Sequence, residues 1–255
     1  MDVATEEGKY IYCIIETSEI RSFGPLGIGG RGDELYTVCF DDIAAVVSNA
    51  PIKRYTVSRE NTLAHEKAIE KVMADRTVLP VRFATLAEDE EKVKRILEKE
   101  HDRFKDTLNR MRGRKELSLK AIFKEDAVYK DILEKYEDIK ALKEKVAALR
   151  ADKTHYLLMQ AGEMVKQALD KEREQCKDEI LGVLRPLAEE VKTNDTYGEL
   201  MIVNAAFLVE KEKEADFDGG VEGLAGKYDR KIKLKYVGTL PPFNFVNLVI
   251  HMEEY

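Results

Sequence analysis

The spacing of apolar positions changes repeatedly along the chain, and each change predicts a new element. Residues 10–15 form a compact run of β-branched and aromatic side chains, which predicts a strand. Residues 35–40 and 43–48 are two further strand-like runs, and the Asp-Asp pair between them predicts a hairpin. Apolar residues three and four apart predict helices from Ser58 to about Ala74 and over residues 88–112.

The first half therefore predicts the order strand, hairpin, helix, strand, helix, strand. Its last two strands are residues 78–86, where Pro80 indicates an edge position or a strand start, and residues 116–123, which alternate between apolar and polar. An antiparallel sheet with helices on one face is the simplest fold for this order. We therefore expect a modified ferredoxin-like N-terminal domain.

The second half begins with a helical pattern. Apolar residues step by three and four over residues 139–149, and the same spacing resumes over residues 157–168. This pattern predicts an antiparallel helical hairpin. One continuous helix is the alternative, because the junction at residues 151–153 contains neither glycine nor proline. Pro186 predicts a kink or break. An apolar run at residues 200–209, a charged helix near 213–227 and a strand from residue 231 complete the pattern.

The chain is thus predicted to be α+β with two domains. A short disordered tail covers residues 1–9, and the ferredoxin-like domain covers residues 10–123. A C-terminal α+β domain covers residues 124–255, with long helices over 124–193 and a strand-helix-strand unit over 197–255.

Composition excludes several classes of function. The 255 residues carry a net charge of −7, which argues against a dedicated nucleic-acid binder because phosphate contacts need clustered lysine and arginine. The longest apolar runs are far below the roughly 20 residues that span a bilayer, so we expect no membrane span. The first nine residues lack the basic start and apolar stretch of a signal peptide, which predicts a cytoplasmic protein. Three cysteines without CxxC spacing are read as small buried hydrophobes.

The motifs that could carry chemistry are incomplete. Residues 27–32, Gly-Ile-Gly-Gly-Arg-Gly, satisfy the GxGxxG pattern, but they lead into a strand and not into a helix that could receive a phosphate. His65-Glu66 begins like a zinc protease motif, but Ile69 occupies the position of the second ligand. We read His65 as a hydrogen-bonded core or interface histidine. The sequence therefore predicts no catalytic residue, no cofactor site and no metal site.

The end of the last strand is the most informative segment. Pro241 and Pro242 cannot donate ladder hydrogen bonds, so they end the strand and predict an extended exit that presents Phe243 and Phe245. The segment is similar to the Gly-Pro-Trp-Pro-Pro-Tyr-x-Phe signature that closes proteins of the gas vesicle protein F/L family (GvpF/GvpL). Thr239, Leu240 and Phe243 stand in place of the first proline, the tryptophan and the tyrosine.

Further blocks resemble the same family in the same order. They are residues 10–12, 27–30, 43–48, 78–85 and 204–209, and in the fourth block Ala84 stands where the family usually has glycine. The resemblance covers nearly the whole chain. It implies a cytoplasmic accessory protein and minor component of gas vesicles that binds the small hydrophobic shell protein (GvpA-like), acts with other gas vesicle accessory proteins, and helps to nucleate or chaperone vesicle formation.

Contact or interdomain positions are expected at the prolines of the two proline-containing segments and at the residues that follow them. The candidates are Pro80, Arg82, Phe83, Pro241, Pro242, Phe243 and Phe245. Two alternatives stay open, since a fold does not determine a function. One is an enzyme or small-molecule-binding protein on a ferredoxin-like scaffold, and the other is a coiled-coil scaffold that self-associates through residues 137–191.

Overall fold

A computed structural model of the chain describes residues 6–149, 154–250 and 252–254. Their contacts divide the chain into two compact units. The first unit contains the residues up to Glu116 together with those from Thr239 onwards, and the second unit contains Leu117–Gly238. The chain passes between the units within two of its strands, once in each direction.

The first unit is built on an antiparallel sheet. Its strands are β1 (Glu7–Glu16), β2 (Ser22–Gly24), β3 (Leu35–Phe40), β4 (Ile43–Pro51), β5 (Val78–Pro80) and β6 (Leu86–Ala87). The order is β2-β3-β4-β1-β5, and β6 also pairs with β1. The predicted hairpin is confirmed, because β3 and β4 pair in antiparallel register from Phe40 opposite Ile43 outwards.

Three helices pack on this sheet: α1 (Arg59–Met73), α2 (Glu90–Lys99) and α3 (His101–Met111). α1 contacts β1 and β5, whereas α2 contacts β3 and β4. Residues 10–15 of β1 are all buried. Because successive side chains of a strand point to opposite faces, both faces of the sheet are covered at β1, and not one face as the sequence suggested.

The described part of the second unit is built from four strands and four α-helices. The strands are β7 (Arg114–Phe123), β8 (Glu190–Thr193), β9 (Met201–Glu210) and β10 (Ile232–Leu240), in the order β10-β7-β9-β8. The helices are α4 (Glu125–Lys135), α5 (Glu137–Ala148), α6 (His155–Leu184) and α7 (Glu214–Tyr228). Two sheets and a long helix confirm the predicted α+β class with two domains.

α5 and α6 are separate helices that fold back on each other. They are in contact, and the side chains that flank the start of α5 reach Glu172 in the middle of α6. The Tyr136 hydroxyl donates to Glu172 Oε1 over 3.2 Å, and Lys135 Nζ donates to the same oxygen over 2.5 Å. This arrangement is the hairpin of the two predicted alternatives. The junction at residues 151–153 lies outside the described residues.

Several element predictions differ from the structure. Residues 7–9 belong to β1, so the predicted tail is shorter, and residues 1–5 lie outside the described residues. The helix predicted over 88–112 is divided at Glu100 into α2 and α3, and each half keeps its own buried apolar residues. The long helices do not reach residue 193: α6 ends at Leu184 before the turn that contains Pro186, and β8 follows.

The predicted domain boundary at 123/124 also differs from the observed division. Residues from Thr239 onwards belong to the first unit, although the sequence placed them in the C-terminal domain. The C-terminal segment belongs to the first unit because it contacts residues that are far from it in the sequence. Leu248 forms a parallel bridge with Val81, and Arg82 N–H donates to Leu248 O over 3.4 Å.

Among the described residues, no helix combines the length and the apolar character needed to cross a bilayer.

Candidate functional site

Four of the seven predicted site residues line one open cleft in the first unit. Pro80, Arg82, Phe83 and Phe243 line a cavity of about 460 Å³. The remaining lining residues come from α1 and from the C-terminal segment: Thr62, His65, Glu66, Val81, Val246, Asn247, Leu248 and Val249. The structure thus brings together two segments of the predicted set that are about 160 residues apart.

The other three predicted residues are buried beside the cleft and do not line it. Pro241, Pro242 and Phe245 are all buried. The chain turns here and does not leave in the extended form expected from the prolines. Phe243 N–H donates to Pro241 O over 2.7 Å, and Val246 N–H donates to Pro242 O over 2.8 Å. This turn puts Phe243 against the cleft and Phe245 into the interior, so the expectation that both rings are presented is wrong for Phe245.

The C-terminal wall of the cleft is anchored by a buried carboxylate. Glu116 is 2% exposed. Its carboxylate accepts from Asn244 N–H over 2.9 Å and from Asn244 Nδ2 over 2.6 Å. Arg110 Nη2 donates to Phe245 O over 2.7 Å. Charge-assisted bonds of this kind are roughly twice as strong as neutral ones. They fix the two residues that directly follow Phe243.

The floor of the cleft contains His65. Its Nε2 lies 3.2 Å from Val81 O, and its Nδ1 lies 3.2 Å from the Tyr10 hydroxyl. Because a carbonyl only accepts, we assign the proton to Nε2, and Nδ1 then accepts from Tyr10. The Tyr10 hydroxyl in turn accepts from Ala84 N–H over 2.9 Å. Both imidazole nitrogens are therefore used by the fold, as the sequence predicted for a core or interface histidine.

Aromatic rings surround this imidazole. The centroid of Tyr12 lies 5.7 Å from that of His65 in a stacked arrangement. Phe83 meets His65 edge-on at 5.6 Å, and Phe243 lies tilted at 6.4 Å. Offset and edge-to-face arrangements at these distances are favourable. The result is an aromatic floor that stays partly open, because Phe243 is 39% exposed.

Burial controls the titration of His65. Desolvation lowers its pKa to about 4, against a smaller opposing effect from the bond to Val81. In the unfolded chain a histidine has a pKa of about 6.5, so between these values the unfolded state binds the additional proton. The contribution of neutral His65 to stability is present above pH 6.5 and is lost as the pH falls towards 4.

We expect this titration to remove about 3 kcal/mol of the free energy of unfolding between pH 7 and pH 4. Urea unfolding at several pH values measures it. The matched variant is His65→Gln, which should show a smaller loss over the same range because it cannot be protonated. Equal pH dependence in the two proteins would show that His65 is not buried in its neutral form.

Ala84, beside the cleft, has a left-handed backbone with φ of 64°. That region costs an L-residue roughly 1–2 kcal/mol, whereas glycine enters it freely but loses more entropy on folding. We therefore expect Ala84→Gly to raise the free energy of unfolding by about 0.5–1 kcal/mol. Thermal unfolding of the two proteins measures the difference. A lower melting temperature for the variant would contradict the assigned backbone.

The glycine-rich loop has a structural role. Ile28 is fully buried, and its N–H donates to the Tyr12 hydroxyl over 2.7 Å. A Cβ on Gly27 would lie 2.7 Å from Asp33 Cβ, so this position requires glycine to let the loop close on itself. The loop leads into β3 and not into a helix. We therefore interpret this loop as part of the structural framework around Tyr12.

One cluster in the described part of the chain has the donor set of a metal site: Asp41, Asp42 and His101. Asp42 accepts from His101 Nε2 over 2.9 Å and pairs with Lys105. These two partners lower the pKa of Asp42, Lys105 more than His101. The ammonium group already neutralises the carboxylate, so we interpret the cluster as an ion-pair network.

Sequence reasoning missed Glu116 as an anchor of the site. In the alternation of β7, Glu116 shares a face with Ser118 and Lys120, where a carboxylate is ordinary, so the sequence does not signal that Glu116 is buried. Its partner Asn244 is 128 residues away in the chain, and no local pattern connects the two.

Three comparisons with known proteins agree with one another. The family described as "Gas vesicle synthesis protein GvpL/GvpF" matches residues 8–247. Gas vesicle protein F of Nostoc sp. is 27% identical over 219 residues, which cover 84% of this chain and 88% of that protein. The crystal structure of the gas vesicle protein GvpF from Anabaena sp. has a TM-score of 0.80 at 25% identity and covers 96% of this chain and 100% of that one. The GvpF structure from Microcystis aeruginosa has a TM-score of 0.74 at 23% identity, with 94% and 99% covered.

Proposed function

The chain belongs to the gas vesicle synthesis protein GvpL/GvpF family, and from that premise we propose that it is an accessory protein of gas vesicle assembly that binds the hydrophobic shell protein. A role related to gas vesicles follows from family membership itself. The proposal adds that the chain binds a GvpA-like shell protein, acts with other accessory proteins, and helps to nucleate or chaperone the growing vesicle.

The observation that carries the proposal is the family match over almost the whole chain, residues 8–247. Chemistry supports it. A shell subunit must present apolar surface towards the gas, and before assembly such a surface aggregates unless another protein covers it. The aromatic cleft around Phe83 and Phe243 is an apolar surface of the kind that this task needs. We therefore propose the cleft as a contact surface for the shell protein.

A second apolar surface lies at the start of α6. Tyr156, Leu158 and Met159 are 75%, 54% and 64% exposed. Neighbouring exposed apolar side chains on a helix are typical of protein contact sites. This surface supports contacts with further proteins of the assembly, and we propose the other gas vesicle accessory proteins as its partners.

We propose a non-enzymatic role in the cytoplasm and on the vesicle. The related proteins are named as gas vesicle proteins and not as enzymes. In the cleft, His65 is the most obvious candidate for a general base, but Nδ1 accepts from Tyr10 and Nε2 donates to Val81, so neither nitrogen is available to a substrate.

Deletion and complementation in the organism of origin test the proposal. We expect a strain without this chain to form few or no gas vesicles, as judged by electron microscopy and buoyancy, and wild-type chain to restore them. Soluble shell protein should decrease, and aggregated shell protein should increase, in the deletion strain. Normal numbers of vesicles in the deletion strain, with the shell protein unchanged, would refute the proposed function.

A further inference from the structure

Two charged side chains at the rim of the cleft have no hydrogen-bond or ion-pair partner among the described residues. Arg82 is exposed, and within the described residues its guanidinium forms no hydrogen bond or ion pair. Glu66, half-buried on α1, likewise has no side-chain hydrogen bond among the described residues. Burial raises the pKa of Glu66, and Glu70 adds to the effect. A cation and a carboxyl group therefore lie at the edges of an apolar floor with their bonding capacity unused.

The two groups lie on different walls. Arg82 directly follows β5, whereas Glu66 lies on α1 one position after His65. The same cleft is lined by the rings of Phe83 and Phe243, each within 6.4 Å of the His65 centroid. An occupant of the cleft therefore meets apolar rings together with a guanidinium and a carboxyl group. Guanidinium binds carboxylates through paired, parallel hydrogen bonds, which makes carboxylate its natural partner.

We propose that this cleft docks a short acidic–apolar peptide segment of a partner protein, with a bulky apolar side chain between Phe83 and Phe243 and an adjacent carboxylate on Arg82. The volume of about 460 Å³ holds a large side chain together with the neighbouring backbone. A backbone N–H of the segment can donate to Glu66, which gives the peptide a direction. The partner's identity as the shell protein rests on the proposed function, but the chemistry of the segment does not.

The cleft is already formed in the unbound chain. Glu116 accepts from Asn244 and Arg110 donates to Phe245 O, which fixes the two residues that directly follow Phe243. His65 is fixed from both nitrogens. Walls that are ordered before binding reduce the entropic cost of association, so even a short segment can bind.

A peptide titration followed by NMR tests the inference. The probe is acetyl-Phe-Asp-amide. Acetyl-Phe-Asn-amide, which lacks the charge, and acetyl-Ala-Asp-amide, which lacks the ring, are the control peptides. We expect the probe to shift resonances of Phe83, Phe243 and Arg82 in the wild-type chain. Each control peptide should bind roughly tenfold more weakly, because it lacks one of the two recognised groups.

Two arginine variants complete the design. Arg82→Glu should weaken binding of the probe by roughly tenfold or more. Arg54→Glu makes the same charge change at an exposed arginine outside the cleft and should leave binding of the probe unchanged.

The inference would be overturned if the probe shifted only resonances of other surfaces, or if the two variants bound the probe equally well. If wild-type chain retains the shell protein but binds none of the probe, the inference fails and the proposed function stands. If wild-type chain binds the probe but no shell protein, the proposed function fails and the inference stands.

Discussion

Asn244→Asp is expected to lower the free energy of unfolding by roughly 3–5 kcal/mol at neutral pH, because it places a second carboxylate against a buried one. Asn244 Nδ2 lies 2.6 Å from Glu116 Oε1, and Glu116 is 2% exposed. The substitution keeps the shape of the side chain but replaces the donor with a charged acceptor. Two carboxylates at this distance cannot both ionise without a large cost.

The pH dependence of this effect has a defined sign. The introduced pair disfavours ionisation in the folded state, so the cost is largest above the unfolded pKa of about 4. As the pH falls, the carboxyl groups become protonated in both states, and the difference between variant and wild type should shrink. Urea unfolding of both proteins at pH 7 and pH 4.5 measures this change.

The matched control is Asn247→Asp, at an exposed asparagine three positions further along the same segment. We expect its effect to stay within about 0.5 kcal/mol, as for most surface substitutions. If Asn244→Asp lowered the free energy of unfolding as little as this control, the C-terminal segment would not be anchored by Glu116. The described wall of the cleft would then be wrong.

Phe217→Ala is expected to destabilise the second unit by roughly 3–5 kcal/mol. Phe217 on α7 is fully buried. Its ring centroid lies 5.0 Å from that of Phe207 on β9 and 6.0 Å from that of Tyr236 on β10. Truncation removes apolar contacts with both strands and leaves a cavity that the surrounding helix and strands fill only partly.

Phe217→Leu serves as the core control, because it retains most of the side-chain volume and should cost less than half as much. Tyr197→Ala serves as the surface control, since Tyr197 is 74% exposed. Denaturant unfolding monitored by circular dichroism measures all three. Equal stability of the alanine variant and wild type would show that α7 does not pack on β9 and β10.

Much of the fold follows from local patterns in the sequence. The hairpin of β3 and β4 was predictable because an Asp-Asp pair separates two strand-like runs, and Asp41 indeed has a φ of 51° in that turn. α1 was predictable because Ser58 precedes an apolar stripe, and its side chain caps the helix by accepting from Asn61 N–H. In both cases the residues that specify the element lie within it or directly beside it.

Other features depend on contacts that local patterns do not contain. The division between α2 and α3 occurs at Glu100, where neither glycine nor proline is present to signal it. β8 was missed because four partly polar residues become a strand only by pairing with β9. The return of the C-terminal segment to the first unit depends on Glu116 and Val81, which are far from it in the sequence.

The candidate site was predictable in part. Two proline-containing segments indicate Phe83 and Phe243, and the structure places both at one cleft. The sequence does not predict the contribution of His65 to the floor, since an imidazole on an apolar helix face does not indicate which strand it meets. Pro241 and Pro242 shape the turn and do not contact the cleft, because their rings are buried.

The most direct test of the account is the binding of this chain to the shell protein. Denatured shell protein is diluted into buffer with and without an equimolar amount of the purified chain, light scattering is recorded, and the soluble fraction is analysed by size-exclusion chromatography. We expect the chain to suppress scattering and to elute together with the shell protein in a near-stoichiometric complex. Undiminished scattering, with the two proteins eluting separately, would contradict the account.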